Sequence, residues 1–321
     1  MTKLDLAALR SAADVVHRVI PPTPQIRWPL LCERTGTDVW VKHENHTPLG
    51  AFKVRGGVLY LNELMRTEPN VSGVIAATRG NHGQSIAFAA HQHGMEALIV
   101  VPHGNSPEKN ASMRALGATL VVHGNDFQGA LEYAAELGAD RGLHFVHSFS
   151  ETLVRGVASY ALELFEAVND LDSVYVPIGL GSGICGTIAT RDALGLKTEI
   201  IGVVAQGAPA YALSAAAGRS VSTETASTIA DGMACRVPDP VALEIILAGI
   251  ARVVVVTDSE IRAAIRHHFT DTHNIAEGAG AAALAALIQE SGQMKGRRVA
   301  VVQSGANIDR DVFAQILTES R

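Results

Sequence analysis

The sequence predicts an α/β protein built from two three-layer α/β/α domains with mainly parallel sheets. From Val71 onward, short apolar runs alternate with longer segments of helical periodicity, which is typical of strand–helix–strand units. The 30 glycines suit tight turns between strands and helices. The 321 residues exceed the size of a typical single core, about 250 to 300 residues, so we expect two domains that share a cleft.

The N-terminal third carries the first elements. Residues Asp5 to Ile20 have amphipathic helical spacing, and Pro21-Pro22 ends the helix because proline cannot continue the hydrogen-bond ladder. A short strand is predicted at Asp38–Lys42 and a helix at Val54–Met65, with a polar loop between them.

The alternating part of the chain falls into two series. The first is predicted as strand Val71–Ala77, helix Asn81–His93, strand Ala97–Val101, helix Pro107–Leu116, strand Thr119–Val122 and helix Asp126–Leu137. The second is predicted as helix Glu151–Val168, strand Ser173–Pro177, helix Gly183–Leu194, strand Glu199–Val204, helix Pro209–Ala217, strand Val253–Val256, helices Ser259–His268 and Ala279–Gln289, and strand Arg298–Gln303. Right-handed crossovers then place ligands at the carboxyl ends of the parallel strands.

Composition and charge exclude several classes of protein. The net charge is −6 with no basic cluster, so we expect no nucleic-acid or anionic-membrane partner. No apolar run reaches the roughly 20 residues that span a bilayer, and residues Met1 to Ile20 lack the pattern of a signal peptide. The three cysteines are far apart and odd in number, which predicts neither disulfides nor zinc, so a reducing cytoplasm is expected.

The loop from His43 to Gly57 concentrates the features of a reactive site. It contains Pro48, Gly50 and the pair Phe52-Lys53. An amine that enters an interior packed by an aromatic ring loses its proton more easily and can condense with an aldehyde. The alternative is a solvated lysine on the first turn of a helix.

Three further loops follow predicted strands. They are Thr78 to Gly83, Pro177 to Gly183 and Gln303 to Asn307. A glycine-rich turn that opens a helix offers backbone N–H groups and a helix dipole to an anion, which fits a cofactor phosphate or a nucleotide equally. A dehydrogenase is disfavoured, because its G-x-G-x-x-G turn belongs in the first βαβ unit, where this chain has Thr78-Arg-Gly-Asn-His-Gly.

Taken together and in this order, the four motifs resemble the threonine/serine dehydratase (ammonia-lyase) branch of the fold-type II pyridoxal phosphate (PLP) enzymes, the tryptophan synthase β-like family. The resemblance covers nearly the whole chain. It implies a large PLP-binding domain from residues 1–66 and 148–321, a small mobile domain from residues 67–147 that closes over substrate, and the cofactor in the cleft between them. It also implies a homodimer. The chain stops soon after the last predicted strand, so no C-terminal regulatory domain is expected.

The resemblance assigns the cofactor contacts. Lys53 matches the lysine that forms the Schiff base, with Ala51 where the family commonly has serine and Phe52 as its aromatic neighbour. Ser304 matches the residue that faces the pyridine nitrogen, where a hydroxyl favours elimination over transamination; the alternative is a capping serine for a helix beginning near Asp309. The remaining cofactor-binding residues implied by the resemblance are Gly179, Leu180, Gly181, Ser182, Gly183, Asn81 and Glu277, of which Leu180 and Ser182 replace family glycines and Glu277 is alternatively a first-turn glutamate.

The substrate loop departs from the family at one position. Thr78, Gly80, Asn81 and His82 match a loop that holds the substrate carboxylate, and Gly232 matches a segment below the substrate. Arg79 stands where serine racemases carry a serine that acts as a base, so racemisation is disfavoured. Arg79 then either binds a carboxylate of the substrate or points to solvent.

The expected function is therefore PLP-dependent β-elimination on L-threonine or L-serine, giving a 2-oxo acid and ammonia in amino-acid catabolism. Arg79 favours 3-hydroxyaspartate as an alternative substrate, and the small residues Ala208 and Ala210 leave room for phenylserine. Two alternative functions are an amino-acid racemase and a non-catalytic protein that binds PLP or an amino acid. No divalent-metal site is expected, because residues 205–211 contain no acidic ligand.

Overall fold

The computed structural model describes residues 4–319. The predicted large domain also includes residues 1–3 and 320–321, and these lie outside the described part of the chain. A six-stranded sheet has the order β1-β2-β10-β7-β8-β9. Its strands are β1 (Gln25–Arg27), β2 (Asp38–His43), β7 (Ser173–Pro177), β8 (Glu199–Ala205), β9 (Arg252–Val256) and β10 (Arg298–Gln303). All neighbouring pairs are parallel except β1 with β2.

A second, four-stranded sheet has the order β5-β4-β3-β6 and is parallel throughout. Its strands are β3 (Gly73–Ala77), β4 (Glu96–Val101), β5 (Thr119–Val122) and β6 (His144–Phe145). They lie inside the range 67–147 assigned to a small domain. That division, and its closing motion, stay predictions.

Helices cover both faces of each sheet. They are α1 (Leu6–His17), α2 (Pro29–Thr35), α3 (Lys53–Thr67), α4 (Asn81–Gln92), α5 (Pro107–Ala115), α6 (Phe127–Arg141), α7 (Glu151–Ala167), α8 (Ser182–Ala193), α9 (Ala210–Ala217), α10 (Pro240–Gly249), α11 (Asp258–Thr272), α12 (Gly278–Gln289), α13 (Ser291–Met294) and α14 (Arg310–Thr318), with 3₁₀ turns at Glu44–His46 and Asp231–Met233. Separate apolar clusters fill the layers on the two faces of each sheet. The predicted three-layer α/β class is confirmed.

Two strands and three helices were not predicted from the sequence, and the shortest of these helices, α13, has four residues. β1 and β6 have three and two residues, too few for a periodic signal. The helix α2 has only seven residues. The helix α10 is apolar on nearly all sides, which hides its period, although Asp239 caps it and Pro240 opens it. Both missed strands lie at the edges of their sheets, so the order of the predicted strands is unaffected.

No helix among the described residues is long and apolar enough to cross a membrane. Within residues 4–319, no group of three His, Cys, Asp or Glu side chains is arranged to hold a metal ion.

Candidate active site

The register of the large sheet brings three of the four loops together. β2 and β10 run parallel with His43 opposite Gln303, so the lysine loop and Ser304 leave the sheet side by side. Across this junction the Phe52 N–H donates to the Ser304 carbonyl at 3.0 Å. β7, which precedes the glycine loop, pairs with the other edge of β10. The carboxyl ends of neighbouring parallel strands therefore build one wall of the site.

The fourth loop, Thr78 to Gly83, is held beside the other three by a close contact between helices α3 and α4. A Cβ at Gly57 would lie 2.2 Å from Ser85 Oγ, so only glycine permits the approach. The Ser85 hydroxyl donates to the carbonyl of Lys53 at 2.7 Å. The start of α3, with Lys53, is thus fixed against the helix that the Thr78–Gly83 loop opens.

A single cavity of about 630 Å³ lies between these loops. It is lined by every residue that the sequence analysis assigned to cofactor or substrate: Phe52, Lys53, Thr78, Arg79, Gly80, Asn81, His82, Gly179, Leu180, Gly181, Ser182, Gly183, Gly232, Glu277 and Ser304. The structure brings these residues together, and their individual roles stay predictions.

The amine of Lys53 is enclosed although part of its side chain borders the open cleft. Its Nζ donates to Ser182 Oγ at 2.9 Å and lies 5.0 Å from the centre of the Phe52 ring. Burial lowers the pKa of Lys53 to about 8. Helix α3 begins at Lys53 itself, one residue before the predicted start. Lys53 therefore lies on the first turn of the helix, but this turn lines the cavity and is not solvated.

The lowered pKa predicts a measurable reactivity in cofactor-free protein. Because only the neutral amine is nucleophilic, acylation of Lys53 by a small anhydride should become half-maximal at about pH 8 as the pH rises. An unperturbed lysine needs a pH near 10.4. Mass spectrometry of digests labelled at several pH values measures this, with the exposed Lys197 as internal comparison. If Lys53 were labelled only at the pH where Lys197 reacts, the enclosed environment would be disproved.

The glycine loop forms a cradle at the start of α8. Gly181 has φ +102°, a conformation that favours glycine, and α8 begins at Ser182. The first N–H groups of a helix have no acceptor inside it and attract an anion. A Cβ at Gly179 would lie 2.1 Å from the carbonyl oxygen of Gly232, so this loop closes tightly on the segment below the cleft.

This contact predicts the effect of one added methyl group. Gly179→Ala must push the loop away from Gly232, and an overpacked site of this kind costs about 1–3 kcal/mol. We expect PLP to bind about 10- to 100-fold more weakly, measured by equilibrium dialysis or fluorescence titration. Gly292→Ala is the matched control, because nothing lies within 4 Å of its added Cβ. Equal affinities of the two variants would contradict the proposed cradle.

Asn81 is held in one orientation. Its side-chain oxygen accepts from Asn307 Nδ2 at 2.8 Å, and its Nδ2 donates to Glu277 Oε1 at 2.6 Å. No acceptor among residues 4–319 takes the second hydrogen on Nδ2, and Asn81 lines the cavity, so a contact to the phenolic oxygen of the cofactor stays a prediction. Glu277 is the N-cap residue of α12 and its side chain makes no capping hydrogen bond. Its role in the site stays a prediction.

The alternative role for Ser304 is not supported. Helix α14 begins at Arg310 with Asp309 as its N-cap, five residues beyond Ser304. Ser304 instead follows β10 and is nearly fully buried at the cleft wall.

His82 enters the cleft as a neutral ring. Burial, followed by the nearby charge of Lys53, lowers the pKa of His82 to about 3, while a hydrogen bond to the backbone of Val146 opposes the shift. Its Nε2 is buried without a partner among the described residues. In the neutral ring the proton belongs to the nitrogen that faces the Val146 carbonyl, so Nε2 offers a lone pair. The backbone N–H groups that open α4 have no acceptor within the helix, and their predicted role is to bind the substrate carboxylate.

The sequence analysis missed two charged residues of the site. Lys109, from α5, places its Nζ 3.3 Å from Glu277 Oε2 and 3.7 Å from Asp231 Oδ2. Burial opposes its charge, but Glu277 and Asp231 raise the pKa of Lys109 above its ordinary value. No local signal marks Lys109, because its partners are more than 100 residues away in the sequence. Asp231 adjoins the assigned Gly232 and could have been noticed.

A buried ion cluster lies behind the lysine. Arg55, two residues after Lys53, donates to Glu44 at 2.7 Å and to Glu163 at 2.6 Å. Lys42 donates to Glu163 at 2.5 Å. The side chains of Lys42, Glu44 and Arg55 are fully buried, and that of Glu163 is 6% exposed. The cluster joins β2, α3 and α7 around the base of the reactive loop.

A protein arranged in this way is a PLP enzyme of fold type II, because the cofactor needs an amine for its aldehyde beside a cradle for its phosphate dianion. The chain belongs to the pyridoxal-phosphate dependent enzyme family, whose sequence model matches residues 16–305.

Two similar proteins are L-threonine ammonia-lyases. That of Thermotoga maritima is 34% identical over 313 residues, 97% of this chain and 77% of that protein. That of Geobacter sulfurreducens is 33% identical over 308 residues, 95% of this chain and 76% of that protein. Among solved structures, the processed threonine deaminase isoform 2 of Solanum lycopersicum has a TM-score of 0.90 at 29% identity, covering 99% of this chain and 96% of that one.

Proposed function

We propose that the protein is a PLP-dependent ammonia-lyase that eliminates water from a β-hydroxy-α-amino acid, with L-threonine and L-serine as substrates. The observation that carries the proposal is the position of the Lys53 amine, which lies between the glycine cradle and the Thr78–Gly83 loop in one cavity. The L-threonine ammonia-lyases named above support the same reaction class.

The residues present fit the cofactor. Lys53 would hold it covalently, Gly179–Gly183 would hold its phosphate, Asn81 its phenolic oxygen and Ser304 its ring nitrogen. When bound, PLP supplies an aldehyde for amines and an electron sink for the α-carbon of the substrate.

The residues of the chain then orient the substrate and transfer its protons. The N–H groups that open α4 hold the α-carboxylate, and the Lys53 amine, once free, removes the α-proton. The β-hydroxyl leaves as water, and in net terms the proton that Lys53 removed from the α-carbon leaves with it, so the amine is regenerated. The unsaturated amine that is released becomes an imine, and water hydrolyses it to ammonia and a 2-oxo acid.

Racemisation is not supported by the residue at position 79. A racemase needs a second group that returns the proton to the other face of the α-carbon. A guanidinium is too weak an acid to exchange a proton with the α-carbon, so Arg79 cannot serve as that group. A non-catalytic binding protein would have no use for the enclosed Lys53 amine.

A substrate panel tests the proposal. The purified holoenzyme is incubated with L-threonine, L-serine, 3-hydroxyaspartate and phenylserine, and release of 2-oxo acid and ammonia is followed. We expect equimolar 2-oxo acid and ammonia from at least one compound. Inversion of the α-carbon without ammonia release would identify a racemase instead, and no change in any compound would identify a binding protein.

We also infer a cytoplasmic homodimer. Cys32, Cys185 and Cys235 are unpaired, which suits a reducing compartment. Leu30, Phe269 and Ile275 are large apolar side chains that remain 37–52% exposed, as a subunit contact would require. Light scattering coupled to gel filtration measures the oligomeric state.

A further inference from the structure

Arg79 has hydrogen-bond donors that no residue of the described chain uses. Its side chain is 33% exposed in the cleft wall, and its Nε is buried without a partner among residues 4–319. The nearest opposite charge is Asp231 Oδ1 at 3.8 Å from NH2, beyond hydrogen-bond length. A guanidinium presents five donors in a planar fork that matches a carboxylate.

Lys109 lies beside Arg79, and both side chains face the carboxylate of Asp231. A Cβ at Gly80 would lie 2.4 Å from Lys109 Cδ, so the lysine side chain crosses the backbone next to Arg79. Its ammonium is 3.7 Å from Asp231 Oδ2. The two oxygens of one carboxylate thus each face one cation, and both contacts are too long for hydrogen bonds. Asp231 is 36% exposed and can turn toward solvent when a closer anion arrives.

The α-carboxylate of a substrate does not need Arg79. The N–H groups of Asn81 and His82 open α4 and lack acceptors within the helix. Thr78 Oγ1 accepts from the N–H groups of Gly80 and Gly83, which leaves the Thr78 hydroxyl hydrogen for a ligand. The Arg79 guanidinium is therefore available for a second anionic group. The Lys109 ammonium lies 3.3 Å from Glu277 Oε2 and has three hydrogens, so it can bind an additional anion while it keeps this ion pair.

We propose that Arg79 and Lys109 form a subsite for a second carboxylate, carried on the β-carbon, so that the substrate class includes 3-hydroxy amino dicarboxylic acids. This inference rests on the proposed β-elimination. The reaction removes the α-proton and the β-hydroxyl as water, and hydrolysis of the resulting imine consumes one water, so 3-hydroxyaspartate yields oxaloacetate and ammonia. The distal carboxylate displaces Asp231 from between the two cations and takes no part in bond breaking.

Binding of unreactive acids tests the subsite without turnover. Succinate carries two carboxylates at the spacing of 3-hydroxyaspartate, butyrate carries one, and neither has an amine to react with the cofactor. In titration calorimetry on the holoenzyme we expect succinate to bind about 10- to 100-fold more tightly than butyrate. Arg79→Gln should remove this preference, whereas Arg141→Gln, an exposed arginine of α6 outside the cavity, should keep it. Asp231→Asn should tighten succinate binding severalfold, because the competing carboxylate is gone.

Kinetics provide a second measurement. The ratio of kcat/KM for 3-hydroxyaspartate to that for L-serine should fall at least about tenfold in Arg79→Gln. Equal binding of succinate and butyrate by the unaltered protein would overturn the subsite, as would weaker succinate binding by Asp231→Asn. An equal loss for both acids in Arg79→Gln would assign the arginine to the α-carboxylate instead and also overturn it. These outcomes differ from failure of the proposed reaction, in which no β-hydroxy amino acid releases a 2-oxo acid while the binding comparison can still be made.

Discussion

Lys53→Ala is expected to lower the release of 2-oxo acid from L-threonine and L-serine by at least about 10⁴-fold. The substitution removes both the covalent tether of the cofactor and the base that takes the α-proton, and no second lysine lies against Ser182 in the described chain. Steady-state rates with cofactor in excess measure the loss. Borohydride reduction of the unaltered holoenzyme, followed by peptide mass spectrometry, should place the adduct on Lys53.

Two controls separate the amine from general effects of mutation. Lys295→Ala removes an exposed lysine remote from the cavity and should retain both the adduct and turnover. Lys53→Ala should still bind the cofactor non-covalently through the glycine cradle, whereas Gly179→Ala weakens that binding itself. Recovery of the adduct on Lys42 or Lys109 would refute the assignment of Lys53.

The site loops could be predicted because each is a local signal. Strands β3, β7 and β10 are apolar runs that end in glycine-rich turns, and parallel pairing sends such turns to one edge of a sheet. The predicted start of helix α5 at Pro107 is also local: Ser106 directly precedes it, and Ser106 Oγ accepts from the N–H of Lys109 at 3.1 Å. In each case the residues that decide the structure lie within a few positions of one another.

The electrostatics of the site could not be predicted in the same way. Lys109 meets Glu277, Arg55 meets Glu163, and Asn81 meets Asn307, and each pair is separated by more than 100 residues. A charged residue on a helix is normally solvated, so its burial depends on a tertiary partner that no local pattern reveals. The sequence likewise cannot show that the Arg79 guanidinium lacks hydrogen-bond partners, because this depends on its distances to residues such as Asp231.

The buried cluster around Arg55 leads to the largest expected effect on stability. Arg55→Met leaves Glu44 and Glu163 with Lys42 as their one remaining lysine or arginine partner among residues 4–319, beside the His17 ring at 2.8 Å from Glu163, in an interior where the side chains of the cluster are 0–6% exposed. An uncompensated charge in such a place costs about 3–5 kcal/mol. We expect the free energy of unfolding to fall by this amount, measured by urea denaturation of the cofactor-free protein followed by circular dichroism.

The matched control is Arg10→Met, which breaks an exposed ion pair with Glu166 at 3.1 Å and should cost less than about 1 kcal/mol. Adding Glu44→Gln to Arg55→Met neutralises the stranded carboxylate, so the double variant should be more stable than Arg55→Met alone. Equal losses for Arg55→Met and Arg10→Met would show that the cluster adds no more than a surface pair. If the double variant were no more stable than Arg55→Met, the loss in Arg55→Met would come from packing rather than from the stranded carboxylate.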